Sequence, residues 1–541
     1  MTTETNWFTK AVFYEVLVRT FADSNGDGVG DMQGLTSKLD YLQWLGVDCL
    51  WLPPFFSSPL RDGGYDVADY TNVLPEFGTI EDTRALIAAV HGRGMRIIID
   101  FVMNHTSSAH PWFQASRTDP TGPYGDFYVW RDEPDEYLDA RIIFIDTIDS
   151  NWSFDEVRGQ YYWHRFFDHQ PDLNFENPRV FEEIQDALRF WLAMGVDGFR
   201  LDAVPYLIEQ DGTDCENLPG THALLKRVRA MVEEEYPGRI LLCEANQWPQ
   251  EVIPYFGDGD ECQLAFHFPV MPRMYMALAR EDKTCLVDII AATPPLPPGT
   301  QWGTFLRNHD ELTLEMVTPA ERDFMWDFYA PEPRMKCNLG IRRRLAPLVD
   351  GDVQRIKLLH ALLLALPGSP VLYYGDEIGM GDNIWLQDRD GVRTPMQWDN
   401  SPGAGFSTAD PSTFPFPIVD SPGFTQDVVN VEAQLDDPDS LLHWLQRTLS
   451  VRRELEALAL GDFVDLEGDN AAVYVVARQW GDQRVIAAFN FSASAQTATL
   501  TPGAFDPESV HVLVGGAAFG DHEGAPTMTL ASHGFAWLVA R

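Results

Sequence analysis

The 541-residue chain carries 39 Lys and Arg against 81 Asp and Glu, a formal net charge of −42, with 45% hydrophobic and 22% charged residues. This length suggests about three or four domains at ~150 residues each, and the composition is that of a globular protein rather than a disordered one. A charge of this size repels phosphate backbones and anionic membrane surfaces, so nucleic acid and membrane are poor partners.

In chain order, the opening MTTETNWFTK lacks a basic start followed by an apolar run, so no secretory signal is expected. No stretch approaches the ~20 apolar residues a membrane helix needs. The six cysteines are scattered without a CxxC, which predicts reduced thiols and a cytoplasmic location. Short apolar runs of strand type follow at Phe13–Thr20, Cys49–Pro53, Arg96–Val102, Gly198–Ala203, Ile240–Ala245, Cys262–Phe268, Gly303–Asn308 and Pro370–Tyr374. Between them, segments such as Ile80–Gly92, Val180–Met194 and Gly220–Glu235 carry apolar residues at helical spacing. Continuous buried strands alternating with helices predict a parallel sheet, and eight such units predict an α/β fold, a (β/α)8 TIM barrel. The gap between the third and fourth runs is too long for one helix. It predicts an inserted domain at 105–178, leaving the C-terminal end of a strand, the face where barrels keep their active sites. The barrel then takes 1–104 and 179–458. After a helical Leu441–Leu458 the pattern turns period-two, at Ala472–Arg478, Val485–Phe491, Val510–Val514 and Thr527–Leu530, which predicts an antiparallel β domain over 459–541.

Carboxylates stand where barrel strands should end: Asp100 in DFVMNH, Asp202 in GFRLDAV, Glu244 in LCEAN and Asp310 in RNHDE. Carboxylates converging on one mouth are costly unless chemistry uses them. Arg200, two residues before Asp202 on one strand, faces the same way; it can hold Asp202 ionised or serve as a structural pair for Asp100.

DFVMNH, GFRLDAV, the isolated strand-end Glu and RNHD, in this order, resemble the four motifs of the α-amylase superfamily of glycoside hydrolases. The resemblance covers essentially the whole chain and implies that the tail is a β-sandwich. QPDLN at 170–174 and GVRTPMQW at 391–398 resemble the oligo-1,6-glucosidase branch. The longer runs DAVPYLIEQDGTDCENLPGTH, LRNHDELTLEMVT and NLGIRRRLAPL resemble the branch that isomerises maltose to trehalose. The resemblance therefore implies intramolecular α-glucosyl transfer through a retaining covalent intermediate, with minor hydrolysis to glucose. A hydrolytic exo-acting α-glucosidase or oligo-1,6-glucosidase is the alternative. Some barrels of the superfamily are non-catalytic partners of membrane transporters that have lost these carboxylates and gained a membrane anchor; with all three carboxylates present and no anchor visible, an enzyme is expected.

By the same resemblance, Asp202 matches the nucleophile, Glu244 the general acid/base and Asp310 the carboxylate that holds sugar hydroxyls. A retaining glycosidase needs one ionised and one protonated carboxyl about 5–5.5 Å apart across the anomeric carbon. His105 and His309 match sugar-hydroxyl binders, and Tyr65 and Asp66 in DGGYDVADY match an aromatic platform and a glucose-binding carboxylate. Arg393 matches the arginine that pairs with that aspartate to wall off the pocket. Arg141 in DARIIF and Glu311 match a gate bridging the mouth. The segment Asp23, Asn25, Asp27, Val29 and Asp31 places oxygens at alternate positions around glycines, as hard cations require. Gly34 at the twelfth position argues against an EF-hand, and the segment resembles the calcium loop of the oligo-1,6-glucosidase branch, with Val29 acting through its carbonyl. The resemblance implies a second calcium site from Asn104, Asp172, Tyr206, Leu207 and Glu209, Tyr206 and Leu207 through backbone carbonyls, tying the insertion to the barrel. The expected cofactor is thus structural Ca2+ at one or two sites, with no organic cofactor. The expected small-molecule partners are maltose, trehalose and glucose, and a homo-oligomer is left open.

Overall fold

The computed structural model describes residues 6–540. Eight parallel strands close into a barrel: β1 (Phe13–Glu15), β2 (Cys49–Leu52), β3 (Arg96–Val102), β4 (Gly198–Asp202), β5 (Ile240–Cys243), β6 (Leu264–Phe266), β7 (Gln301–Phe305) and β8 (Ser369–Tyr373). Each pairs with its neighbours in sequence, and β1 closes on β8 through Phe13 opposite Val371. Apart from the first residues of β3 and β7, Arg96 and Gln301, the strands are buried, as a sheet covered by helices on its outer face must be. All eight apolar runs overlap a barrel strand. The first is much shorter than expected, because Val18–Phe21 coils into a helical turn. The seventh begins two residues earlier, at Gln301, and ends at Phe305.

Side chains two apart on a strand share a face. On β4, Arg200 and Asp202 therefore enter the barrel, while Phe199 and Leu201 turn to the helical layer. Among those helices, Ile80–Gly92 starts from a capping box in which the Thr79 side chain and Asp82 serve each other's backbone N–H. Inside the barrel, the rings of Trp51, Phe266 and Phe305 meet at centroid distances of 5.3 and 5.4 Å, an apolar floor beneath the charged mouth.

The long excursion after β3 folds on itself. Its three short antiparallel strands lie in the order Trp130–Arg131, Gln160–Trp163, Trp152–Asp155. A small core of Val129, Tyr137, Ala140, Trp152 and Trp163 holds them, with Cys215 from the barrel side. It is fastened at its root, where Leu173 N–H donates to the Asn104 carbonyl at 2.9 Å.

The tail is a sandwich of two antiparallel sheets. One contains β9 (Asp462–Asp465), β10 (Val473–Trp480), β11 (Gln483–Asn490), β13 (Val510–Gly515) and β16 (Phe535–Ala540). The other contains β12 (Gln496–Thr499), β14 (Ala518–His522) and β15 (Ala525–Leu530). Alternation along β11 explains the layering. Val485, Ala487 and Phe489 join the barrel's core, while Ile486 and Ala488 pack with Ala498, Met528 and Leu530 of the smaller sheet. No helix among the described residues is long and apolar enough to cross a membrane, and all six cysteines are unpaired.

Candidate active site

A cavity opens at the C-terminal ends of the barrel strands. Asp202 and Glu244, from the ends of β4 and β5, line it together with Asp310, which follows β7. The three nominated catalytic carboxylates are thus brought to one chamber. Arg200 organises two of them: its guanidinium lies 2.5 Å from Asp202 Oδ1, 2.5 Å from Glu244 Oε1 and 2.8 Å from Asp100 Oδ1. Arg200 is therefore paired with Asp202 and with Asp100 at once, while on balance burial leaves the Asp202 carboxyl well above its usual range. Burial pushes the Asp202 carboxyl upward, and the Arg200 charge opposes that push. For Asp310, burial also acts upward, but His309, Arg389 and Arg393 outweigh it and hold the carboxyl below its usual range. Ala203, directly after Asp202, sits at φ +52°, a strained conformation for a residue with a Cβ and of a kind that clusters at functional sites.

Tyr65 and His105 line the cavity as well. Burial lowers His105 to about 3, so the ring is neutral at neutral pH, and its Nε2 has no protein partner. His309, Arg200 and Arg393 stand behind the lining. The His309 ring stacks on Tyr65 at 5.4 Å with 12° between planes, its Nε2 lies 2.7 Å from the Tyr65 hydroxyl, and its Nδ1 meets Glu15. Tyr65 in turn donates to Asp100 at 2.9 Å. Burial drives His309 down and Glu15 up.

Two expectations are corrected. The first is the Asp66–Arg393 pair. Asp66 is fully buried and turned back into its own loop, accepting from the Ser58 hydroxyl at 2.9 Å and from the backbone N–H of Arg61 and Asp62 at 3.1 Å each. The carboxylate that faces the pocket is Asp62, three residues before Tyr65 in the same motif. It pairs with Arg389 at 2.5 Å, and Arg389 also reaches Asp310 at 3.0 Å. Arg393 donates to the His309 carbonyl at 2.8 Å and to Asp310 at 3.1 Å. The second correction concerns the gate. Arg141 does not meet Glu311; it lies 2.8 Å from Glu315 and 2.8 Å from Glu216, and donates to the Tyr206 hydroxyl at 3.1 Å. Glu311 is held elsewhere because Gly340 lies against it, so close that a Cβ there would come within 2.6 Å of Glu311 Cγ, and Asn338 donates to its carboxyl at 3.2 Å. Burial raises Glu311 to about 7. Arg141 fastens the loop that carries Ile143 and Phe144 over the cavity, and Phe144 packs on Phe166, Phe167 and the Arg389 guanidinium.

The sequence reading passed over Asp62, Arg389, Phe144, Glu216 and Glu315. The spacing signal for the first two was present, in DGGYD and in RDGVR, but the neighbouring residue was chosen in each.

Asn104 Oδ1, Asp172 Oδ2 and Glu209 Oε1 are buried and have no hydrogen-bond partner. Burial pushes Asp172 up to about 8 and Glu209 well above its usual range, and the Asp172 charge adds to the push on Glu209. Buried oxygens without donors are of the kind a hard cation takes as ligands. No group of three His, Cys, Asp or Glu gathers among the described residues, since this set holds only two carboxylates. In the first loop, Asn25 and Asp27 each accept an N–H two residues on, at 2.8 and 2.9 Å, and Asp23 accepts from Asn25, Gly26 and Gly28. Asp31 caps the helix Met32–Ser37 through Gly34 N–H. The three aspartates of this loop do not gather into a ligand group, and their oxygens serve the loop's own N–H and hydroxyl groups.

The chain was compared with known proteins. Residues 15–326 and 333–461 match the alpha amylase catalytic domain. A trehalose synthase of Pimelobacter sp. is 59% identical over 549 residues, covering 99% of this chain and 96% of that protein. A trehalose synthase/amylase of Mycolicibacterium smegmatis is 58% identical, covering 100% of this chain and 93% of that one. The crystal structure of an α-glucosyl transfer enzyme, XgtA, superposes with a TM-score of 0.81 at 30% identity, covering 99% of this chain and 100% of that one. By contrast, a hydrolase, the oligo-1,6-glucosidase of Parageobacillus thermoglucosidasius, is 31% identical over 90% of this chain and 90% of its own.

Proposed function

The chain belongs to the α-amylase family, and on that premise we infer that it isomerises maltose to trehalose by intramolecular glucosyl transfer, releasing a minor share as glucose. One observation carries the choice of isomerase over hydrolase: near-full-length identity of 59% to a trehalose synthase, against 31% to an oligo-1,6-glucosidase.

Asp202 is the nucleophile, held by Arg200 with its carboxylate toward the cavity. Glu244, on the other arm of the same guanidinium, is the general acid that protonates the leaving oxygen. Asp310, kept ionised by Arg389 and Arg393, accepts hydrogen bonds from sugar hydroxyls. Tyr65 offers its ring to the pyranose face, and His105 directs an unpartnered nitrogen to a hydroxyl. The Asp62–Arg389 pair closes the inner end, so a terminal glucose fits and an extended chain does not.

Attack of Asp202 on the anomeric carbon expels the second glucose and leaves a covalent glucosyl ester. Water would hydrolyse that ester. With Arg141 holding the Phe144 loop over the cavity, the freed glucose stays at high effective concentration and bulk water is kept out. Glucose turns and attacks through its anomeric hydroxyl, Glu244 removes that proton, and double displacement preserves the α configuration.

Structural calcium at the Asn104, Asp172, Glu209 cage with the Tyr206 and Leu207 carbonyls belongs to the same reading. When bound, the cation neutralises the cage carboxylates and ties the insertion to the barrel. The six unpaired cysteines fit a reducing, cytoplasmic compartment. Incubation with maltose and chromatography of the sugars tests the function: trehalose is the expected main product, and glucose alone would favour the hydrolytic alternative.

A further inference from the structure

Glu216 touches no group that carries the chemistry above, yet it is a heavily engaged carboxylate near the mouth. It sits between β4 and the helix Pro219–Glu235, and its side chain is 7% exposed. Three groups converge on it from three segments. Arg141 of the insertion lies 2.8 Å from Oε1, Arg165 of the insertion contacts the same oxygen, and Gln247, three residues after Glu244, donates to Oε2 at 2.9 Å. Burial acts to raise the Glu216 carboxyl, but the two guanidiniums outweigh it and hold the group below its usual range. The backbone is forced to deliver it: Cys215 and Asn217, on either side, both stand at φ +56°. Two strained residues bracketing one side chain persist only where the surroundings over-determine them.

The two arginines are not equivalent. Arg165 is fixed, with a side chain 1% exposed, its guanidinium over the Tyr206 ring and its backbone N–H donating to Asp172. Arg141 is 37% exposed. Without the Glu216 charge, two guanidiniums would face each other across the gap. The more exposed partner, Arg141, would be expelled toward solvent, and the Phe144 loop would follow it. Glu315, at 15% exposure, and the Tyr206 hydroxyl would be left to hold the latch.

We propose that Glu216 is a positioning residue of the latch: by fixing Arg141 against Glu315, with Arg165 behind it, it sets the share of glucosyl-enzyme intercepted by retained glucose rather than by water. This rests on the isomerisation reading. Glu216 touches no reacting atom, so its removal leaves formation of the glucosyl-enzyme intact and changes only its fate.

The test compares wild type, Glu216→Gln and Glu216→Asp. Products from maltose are quantified over time, alongside hydrolysis of an aryl α-glucoside, which needs no retained glucose, and thermal melting. Glu216→Gln is expected to raise the glucose-to-trehalose ratio roughly tenfold, the factor carried by one hydrogen bond to a charged group, with aryl glucoside hydrolysis unchanged or higher. Glu216→Asp, which keeps the charge on a shorter arm, is expected to move the ratio in the same direction by less, and it decides the matter if the glutamine variant does not fold. An unchanged ratio in the folded variants overturns the proposal, as does a fall in aryl glucoside hydrolysis without a change in ratio, which marks a merely structural role. Wild-type protein that yields glucose and no trehalose overturns the isomerisation reading itself and the proposal with it.

Discussion

Asp62 and Asp66 stand four residues apart in one motif, and the structure assigns them opposite consequences on replacement by asparagine. Asp62 is pushed up from 3.8 to about 6, burial outweighing the Arg389 and Arg393 charges. A carboxyl whose pKa is higher in the folded than in the unfolded chain disfavours folding as pH rises between those values and above them. Two units correspond to at most about 3 kcal/mol at pH 7. Asp62→Asn removes that burden, while Arg389 keeps Asp310 at 3.0 Å and Asp388 at 3.0 Å. The variant should therefore be as stable as wild type at pH 7, or up to ~3 kcal/mol more so. It loses the charge that positions Arg389 at the sugar, and kcat/KM for maltose should fall about 10²- to 10³-fold. Asp66→Asn does the reverse. It replaces an acceptor of three hydrogen bonds with an amide that brings two donors into a fully buried site. Stability should fall by about 2–4 kcal/mol, with kcat/KM per folded molecule within about threefold of wild type. Urea unfolding at pH 7 and maltose kinetics on both variants check this. An Asp66→Asn protein of normal stability and lost activity, beside an active Asp62→Asn protein, would refute the assignment.

Other outcomes follow from the same geometry. Asp202→Ala should lower turnover of maltose and of an aryl α-glucoside at least about 10⁴-fold, with melting within a few degrees of wild type because the removed carboxyl is buried and disfavoured; near-normal activity would remove Asp202 from the nucleophile's role. Glu315→Ala takes the second anchor from Arg141, and the glucose share from maltose should rise roughly tenfold by chromatography. Calcium at a hundred times its dissociation constant should stabilise by about 2.7 kcal/mol, raising Tm by roughly 2–3 °C for a chain of this length. Glu209→Gln combined with Asp172→Asn should abolish that rise, and chelation that alters neither metal content nor Tm would contradict the site.

The barrel was legible because its strands are continuous apolar runs with helices between them; Arg96–Val102 and Ile80–Gly92 end where the pattern ends. At β7 the apolar run continues past Phe305 into Leu306, and composition does not reveal where pairing stops, so the expected strand was set too far along. In the tail, Phe535–Ala540 escaped notice for the opposite reason. FAWLVA does not alternate, because this strand is buried on both faces, with Trp537 toward the barrel and Leu538 toward the smaller sheet. The catalytic carboxylates could be placed because a strand end fixes where a side chain starts. Asp62 could not: it precedes Gly63 and Gly64, at φ +60° and +110°, and a loop through that region can aim either neighbouring carboxylate at the pocket. The space Gly63 leaves is used, since a Cβ there would come within 2.7 Å of Arg393. Glu216 lies within the run DAVPYLIEQDGTDCENLPGTH, but nothing in that run singles it out; its importance arises from two arginines some 50 and 75 residues earlier in the chain, meeting at one oxygen.

Transfer inside a closed cavity is most directly tested by adding isotopically labelled glucose to a maltose reaction and following the label by mass spectrometry. If the freed glucose is retained behind the Arg141 latch and attacks in place, trehalose accumulates almost unlabelled while labelled glucose remains in solution. Label entering trehalose as fast as trehalose forms would mean that the leaving glucose exchanges with solvent before attack, and would contradict the enclosed mechanism.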